Sequence, residues 1–225
     1  MKIILISAKS QHGKDAAAAL MKNQLEERGE KVLTIHFADP VKWFARDFYN
    51  WDGQKDKDGR ALLQYIGTTM MRTYDQFYWG RIISEFIAAA SNDFTYALIP
   101  DWRFFSEKTA IERYNDDVTT VRITRLNPDG SIYENPLMTY TQLTHVSETE
   151  LDNAFFDYCI INDGDINQLE EKVNKFITQL TSKYNCGIIK EKQRRKINDR
   201  LFFYGNSKVL ESNVCNVSGC AAATP

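Results

Sequence analysis

The sequence has no apolar run near the roughly 18 residues that a membrane-crossing helix needs. Its opening, MKIILISAKS, is too short an apolar stretch for a signal peptide and lacks a small-residue cleavage site, so it reads as a first strand. No large excess of either charge is present: Lys and Arg number 28 and Asp and Glu 30, and a net charge of −2 points to neither nucleic acid nor membrane as a partner of the whole chain. The four cysteines (Cys159, Cys186, Cys215, Cys220) lack paired metal-ligand spacing, and no histidine stands near the last two. Free thiols in a cytosolic protein are the expectation, and a zinc site is not. A sustained interleaving of aromatic and basic residues, typical of single-strand binding, is missing as well.

What is there suits one soluble domain. The chain has 225 residues, 43% of them hydrophobic and 26% charged, enough for a single α/β domain with a substantial core and a tail. Charge is unevenly placed. From Lys183 onward eight Lys and Arg face three acids, a net of +5, which leaves −7 for the rest. Residues 182–225 read as a poorly ordered basic extension with no part in chemistry. A basic arm for nucleic acid or an acidic partner is the alternative.

The organising stretch is Ile3 to Ala19, IILISAKSQHGKDAAAA. An apolar strand runs into a short polar loop, and Gly13-Lys14-Asp15 opens an alanine-rich helix. That is the context in which a phosphate-binding loop makes physical sense: backbone N–H groups and the helix dipole favour an anion, and Lys14 adds a mobile positive charge. The match to G-x-x-x-x-G-K-S/T is imperfect, with Ala8 at the first position and Asp15 at the last. An ordinary strand-to-helix turn is the competing reading.

Strand-like and helix-like segments then alternate, which predicts a mainly parallel sheet. Helices are expected over 16–28, ending at Gly29, and over 40–49, with Asp39 as N-cap and Pro40 at the first helical position. Further helices are expected over 60–72, 74–90 (apolar face Phe77, Ile82, Ile83, Phe86, Ile87), 106–114 and 165–180. Strands two to five are expected over 31–37, 95–100, 118–124 and 158–161. Residues 125–153 carry turn signals and no long periodic run, so they read as a mobile lid or substrate loop.

Ligands of open α/β sheets bind at the carboxyl ends of parallel strands. Those ends here carry the loop, then Asp39 and Lys42, then Asp101 and Arg103, then Arg122 and Arg125, then Asn162 and Gly164. Asp101 is placed as a magnesium-orienting or acceptor-holding carboxylate, or else as a cap. Arg103 suits bidentate phosphate recognition, or else a surface ion pair. Arg72, after a helix, reaches the cleft or stays in solvent. His12 and His36 are read as bystanders to the chemistry.

The segments ISAKSQHGKD, LLQYIGTTMMRTYDQFYWGRII, YALIPDWRF, VRITR and DYCIINDGDINQLEEKV resemble the phage-type deoxynucleoside monophosphate kinases, within the P-loop nucleoside monophosphate kinase superfamily. The resemblance covers about residues 1–181. It implies a three-layer α/β/α P-loop kinase fold with a mainly parallel five-stranded sheet, a helical acceptor region and a lid over about 125–153. Under it, Ala8, Lys9, Gln11, His12, Gly13, Lys14, Asp15 and Ala16 would surround the phosphates of ATP, with Asn162 and Gly164 beside its adenine. Asp15 and Asp101 would meet Mg2+. Asp39, Lys42, Arg72, Trp79, Asp101, Arg103, His145 and Glu148 would serve a (deoxy)nucleoside monophosphate acceptor, with Trp79 mainly as packing and His145, Ser147 and Glu148 as closure contacts. Lys14, Arg72, Asp101, Arg103 and Arg125 would carry the transfer. The location would be cytoplasmic (a host's, if phage-encoded), and a homodimer is left open. Ala8 departs from the family's usual Gly and puts in doubt how closely the loop wraps phosphates. The rival readings are a phosphomevalonate-type kinase, a non-catalytic nucleotide-binding protein, and a nucleic-acid binder acting through the tail.

Overall fold

The computed structural model describes residues 1–54, 56–182 and 215–216. In chain order the elements are β1 (Lys2–Ala8), α1 (Lys14–Glu26), β2 (Val32–Thr34), α2 (Ala38–Tyr49), α3 (Lys57–Gln64), a π-helical turn (Tyr65–Met70), α4 (Met71–Tyr74) and α5 (Tyr78–Ala90). They continue with β3 (Tyr96–Ile99), α6 (Phe105–Glu112), β4 (Val118–Arg125), α7 (Tyr140–Leu143), α8 (Val146–Thr149), β5 (Phe155–Phe156), β6 (Tyr158–Asn162), α9 (Ile166–Ser182) and β7 (Cys215–Asn216). Five strands form one sheet in the order β2-β3-β1-β4-β6, and every pairing in it is parallel. The three-layer α/β/α arrangement expected from the sequence is the one observed.

β1 lies at the centre and is buried at all seven positions. A strand covered on both faces reads as a continuous apolar run, which is why IILI was legible as a strand. Its side chains alternate between two cores. Ile4, Ile6 and Ala8 pack with Met21 and Leu25 of α1 and Val173, Phe176 and Ile177 of α9. Ile3 and Leu5 pack on the other face with Ile83 and Ile87 of α5, Trp102, Ile111 of α6 and Phe156. At about 1.5–3 kcal/mol per fully buried branched side chain, Ile3 to Ile6 anchor the sheet. A third, smaller core (Val41, Ala45, Trp51, Ile66, Trp79) ties α2, the π-helical turn and α5 together.

Several expected boundaries hold and several move. Helix α1 ends at Glu26, two residues before the end expected at Arg28, and a turn carries the chain to Gly29, whose φ of 84° permits Gly29 N–H to meet Glu26 O (2.9 Å) and Glu30 N–H to meet Leu25 O (3.1 Å). Asp39 does not cap α2: its carboxylate accepts instead from His36 N–H (2.9 Å) and Lys42 Nζ (2.9 Å). The helix expected over 60–72 is three pieces, because a π-helical turn interrupts it. The helix expected from 74 starts at Tyr78, after Asp75 turns the chain by accepting from Phe77 N–H (2.8 Å). Phe86, expected on the apolar face of that helix, is 60% exposed. No helix among the described residues is long and apolar enough to cross a membrane. The extension expected over 182–225 lies outside the described residues, apart from Ser182 and the short antiparallel pairing of β7 with β5.

This topology sets where a ligand can sit. The connection after β1 leads to α1 on one face, and that after β3 leads to α6 on the other. Neighbouring strands thus part at their carboxyl ends and leave a crevice between them.

Candidate functional site

The loop after β1 forms one wall of the crevice. Its sharp bends fall at Gln11 (φ 62°) and Gly13 (φ 90°), both in the left-handed region. Ala8 is not at a bend: it ends β1 in register with Ile123 and packs in the core. The methyl group of Ala8 thus packs in the core, at the end of the strand and away from the two left-handed bends. At Gly13 the case is opposite. A Cβ there would lie 2.6 Å from Asn162 Nδ2, which itself donates to His12 O (3.1 Å). No side chain caps the first turn of α1, so the amides there are of the kind that helix N-termini offer to anions.

His12 fixes this loop to the sheet. It is almost fully buried, its Nε2 donates to Tyr133 O (2.8 Å), and its Nδ1 accepts from Arg125 N–H (3.2 Å). Those two roles require the neutral ring, and burial, aided by Arg122 and Lys9, lowers its pKa below 6.5. The residue read as a bystander is a structural pin. Lys14 Nζ meets both oxygens of Asp15 (2.7 and 2.9 Å), whose side chain is 74% exposed. Arg125 stacks its guanidinium over the Tyr133 ring (4.4 Å), and Tyr133 OH donates to Gln11 Oε1 (2.8 Å).

Beyond the loop lies a cleft of about 410 Å³. Ser10, Asp101, Arg103 and Glu148 line its inner end, and Arg60, Gln64, Thr68, Arg72 and Trp79 line its helical side. Arg72 is nearly used up by the protein itself. Its Nε donates to Gly67 O (3.0 Å), Nη1 reaches Ser106 Oγ (3.3 Å) and Gln76 O (3.3 Å), Nη2 pairs with Glu107, and the fork stacks on Phe104 (3.9 Å). The π-helical turn makes this possible. Met71 N–H bonds Ile66 O five residues back, and Gly67 O receives both Arg72 Nε and Trp79 Nε1 (3.0 Å). Glu107 also accepts from the N–H groups of Arg103 (2.9 Å) and Phe104 (3.1 Å). Burial pushes its carboxyl up to about 7, while Arg72 and the two amides pull it the other way.

Segment 126–157 closes over the loop through two carboxylates. Glu148 Oε2 accepts from Ser10 N–H (3.3 Å), and its Oε1 pairs with Arg103, whose Nη1 also donates to Ser147 O (2.9 Å). Asp152 Oδ2 pairs with Lys9 Nζ (2.9 Å) and its Oδ1 with Arg122 Nη2 (3.4 Å). Arg122 is buried, held also by Ser7 Oγ (2.8 Å) and the Phe156 ring (5.6 Å). Asn135 Nδ2 adds a bond to Ser10 Oγ (3.0 Å).

Five of the eight residues expected around an acceptor line the cleft: Arg72, Trp79, Asp101, Arg103 and Glu148. Asp39, Lys42 and His145 do not. Lys42 is paired with Asp39, and His145 Nδ1 accepts from Ser147 N–H (3.2 Å) as the cap of α8. Asp101 is a cap, though for α2 rather than its own helix: its two oxygens accept from Phe37 N–H and Ala38 N–H, each at 2.9 Å. The metal role expected for Asp101 has no support in that geometry. Trp79 is packing, 2% exposed, with its N–H given to Gly67. Gly164 sits where a Cβ would collide with Gln168, in the turn after β6. Glu107, Arg60, Gln64 and Thr68 were not singled out from the sequence. Glu107 lies on an ordinary-looking helix, and only its 2% exposure marks it.

No family model matches this sequence, and no curated protein does. Among solved structures, the chain is similar to an APS kinase of Mycobacterium tuberculosis in complex with AMPPNP and APS, at 14% identity and a TM-score of 0.45, covering 80% of this chain and 97% of that one. A mutant of the same kinase matches at 13% identity and 0.43, covering 79% and 96%. A sugar kinase from Janibacter sp. matches at 13% and 0.43, covering 79% and 95%. Likeness at this level assigns no activity.

Proposed function

We propose that the protein is an ATP-dependent phosphotransferase, with a (deoxy)nucleoside monophosphate as its acceptor. The observation that carries this reading is the juxtaposition at one crevice of two anion-binding walls. One is the uncapped first turn of α1, with Gly13 and Lys14 at its head. The other is the arginine-lined cleft that opens beside Ser10.

The Lys14 ammonium and the loop amides hold the donor's terminal phosphates. An oxygen of the acceptor's phosphate forms the new bond to the γ-phosphorus as the bond to the bridging oxygen breaks, and the electron pair leaves on ADP. Such transfer needs positioning and charge neutralisation more than a strong base. Arg103 orients the acceptor's phosphate, and Arg72 adds fixed positive charge from its place on Glu107. Segment 126–157 excludes water, which would otherwise take the phosphoryl group.

The donor set suits Mg2+ at the loop. Asp15 presents an exposed carboxylate beside Lys14, and an ion that keeps its waters and binds phosphate oxygens needs only one or two such ligands. When bound, it would neutralise charge on the donor's phosphates.

The test is a coupled assay of ADP release against the common ribo- and deoxynucleoside monophosphates, with phosphomevalonate beside them. Release on one or more nucleotides supports the reading. Release on phosphomevalonate alone moves the acceptor class. ATP binding without ADP release on any acceptor overturns catalysis in favour of a nucleotide-binding protein.

A further inference from the structure

Glu148 stands in an unusual place for a carboxylate. One oxygen accepts from a main-chain amide of the anion-binding loop, Ser10 N–H at 3.3 Å, and the other pairs with the guanidinium of Arg103. A loop amide beside a guanidinium is the donor set that recognises a phosphate oxyanion. The Glu148 side chain is 10% exposed, so the pair is largely shielded from water, while the Arg103 side chain keeps 29% of its surface. Ser10, Arg103, Ser147 and Glu148 all line the cleft. The carboxylate therefore sits within the cavity wall, on groups that an incoming anion would reach.

We infer that Glu148 is an internal substitute for a phosphate monoester dianion, and that the two compete for Ser10 N–H and Arg103. The inference deepens the acceptor reading above and rests on it for the class of ligand. A dianion brings three oxygens and more charge to the same donors, so it displaces the carboxylate. Displacement frees α8 from the loop, and among the described residues Asp152, just beyond α8, remains as the carboxylate tie of this segment to the loop at Lys9 and to β4 at Arg122. Glu148 thereby sets acceptor affinity and couples acceptor binding to the segment that covers the loop. It is a competitor for the phosphate site and makes no contact with the bound phosphate.

The arrangement predicts that neutralising the competitor tightens phosphate binding. Inorganic phosphate is titrated calorimetrically into the full chain without ATP. Glu148→Gln keeps the shape of the side chain and an acceptor oxygen but loses the charge, and it is expected to bind phosphate about tenfold tighter, in line with the loss of one charge-assisted contact. Glu134→Gln is the control. Glu134 is exposed, so its replacement removes equal charge from the same segment outside the cleft, and wild-type affinity is expected. Arg103→Gln is expected to abolish binding. Melting curves with and without phosphate show whether each variant is folded, and phosphate should raise the melting temperature of Glu148→Gln more than that of the wild type.

Equal affinity in Glu148→Gln and Glu134→Gln, weaker binding in Glu148→Gln, or no phosphate binding by any variant overturns the competition. Neither turnover nor ATP enters this measurement. A protein silent in the ADP assay that still tightens on phosphate keeps this inference and loses the kinase reading, and the converse result separates them equally well.

Discussion

The two walls of the crevice use different chemistry. On the loop side the groups free to meet an anion are main-chain amides, set by two left-handed residues and the start of a helix. On the cleft side they are guanidinium groups, and two arginines there are already matched by carboxylates, Arg72 by Glu107 and Arg103 by Glu148, while the buried Arg122 behind them is matched by Asp152. The first wall is built by local backbone geometry and needs few partners. The second is held by contacts between segments 30 to 45 residues apart. Removing a side chain should therefore harm function with little loss of stability on the loop side, and should cost stability on the cleft side wherever it leaves a buried charge without its partner.

The largest expected effect lies at Glu107. Glu107→Ala leaves the Arg72 guanidinium buried without its counter-ion and strips two amides of their acceptor, at about 3–5 kcal/mol by urea denaturation. A loss below about 1 kcal/mol would erase the contrast between the walls. Next is Lys14→Ala, which should cut ADP release by about 100-fold or more. Its melting temperature should hardly move, because the partner of Lys14 is the exposed Asp15.

Gly13→Ala is intermediate and touches both properties. The left-handed φ costs about 1–2 kcal/mol for a residue with a Cβ, and the clash with Asn162 adds to it. Adding Asn162→Ala should restore only the clash component, which a double-mutant cycle reads directly.

The smallest effect is a pH dependence. Burial lowers the His12 pKa below 6.5, so between the folded value and 6.5 the unfolded chain binds the extra proton. Its stabilising contribution is complete above about pH 6.5 and is lost as pH falls through the lowered folded value. Wild type should lose stability on acidification more steeply than His12→Gln in that range, measured as the difference between their urea midpoints. Equal slopes would mean that the ring is not held neutral.

Much of the scaffold was legible in the sequence because its signals are local. Ile3–Ile6 gave a doubly buried strand, Gly29 gave a helix stop, and Leu169, Val173, Phe176, Ile177 and Leu180 gave the buried stripe of α9, all five of them buried. The strand-end rule also brought Asp101, Arg103 and Arg122 into view. Their partners were not legible. Asp101 reads as a metal ligand or a cap in sequence, and the choice depends on β3 lying beside the chain that opens α2, 64 residues away. The π-helical turn escaped because a single extra residue per turn leaves the apolar pattern of 60–72 almost intact. Glu107 escaped because a charged residue in the first turn of a helix normally faces water.

The sequence by itself determined the loop: strand, bend and helix start are consecutive, and glycine at position 13 permits a conformation that other residues resist. It also determined which segments have one apolar face and so must pack. Tertiary structure alone decided the order of the strands, the crevice between β1 and β3, and the carboxylate given to each arginine. An ion pair depends on distance in space, and the residues of these pairs are brought together only when the sheet and its two helical layers close on one another.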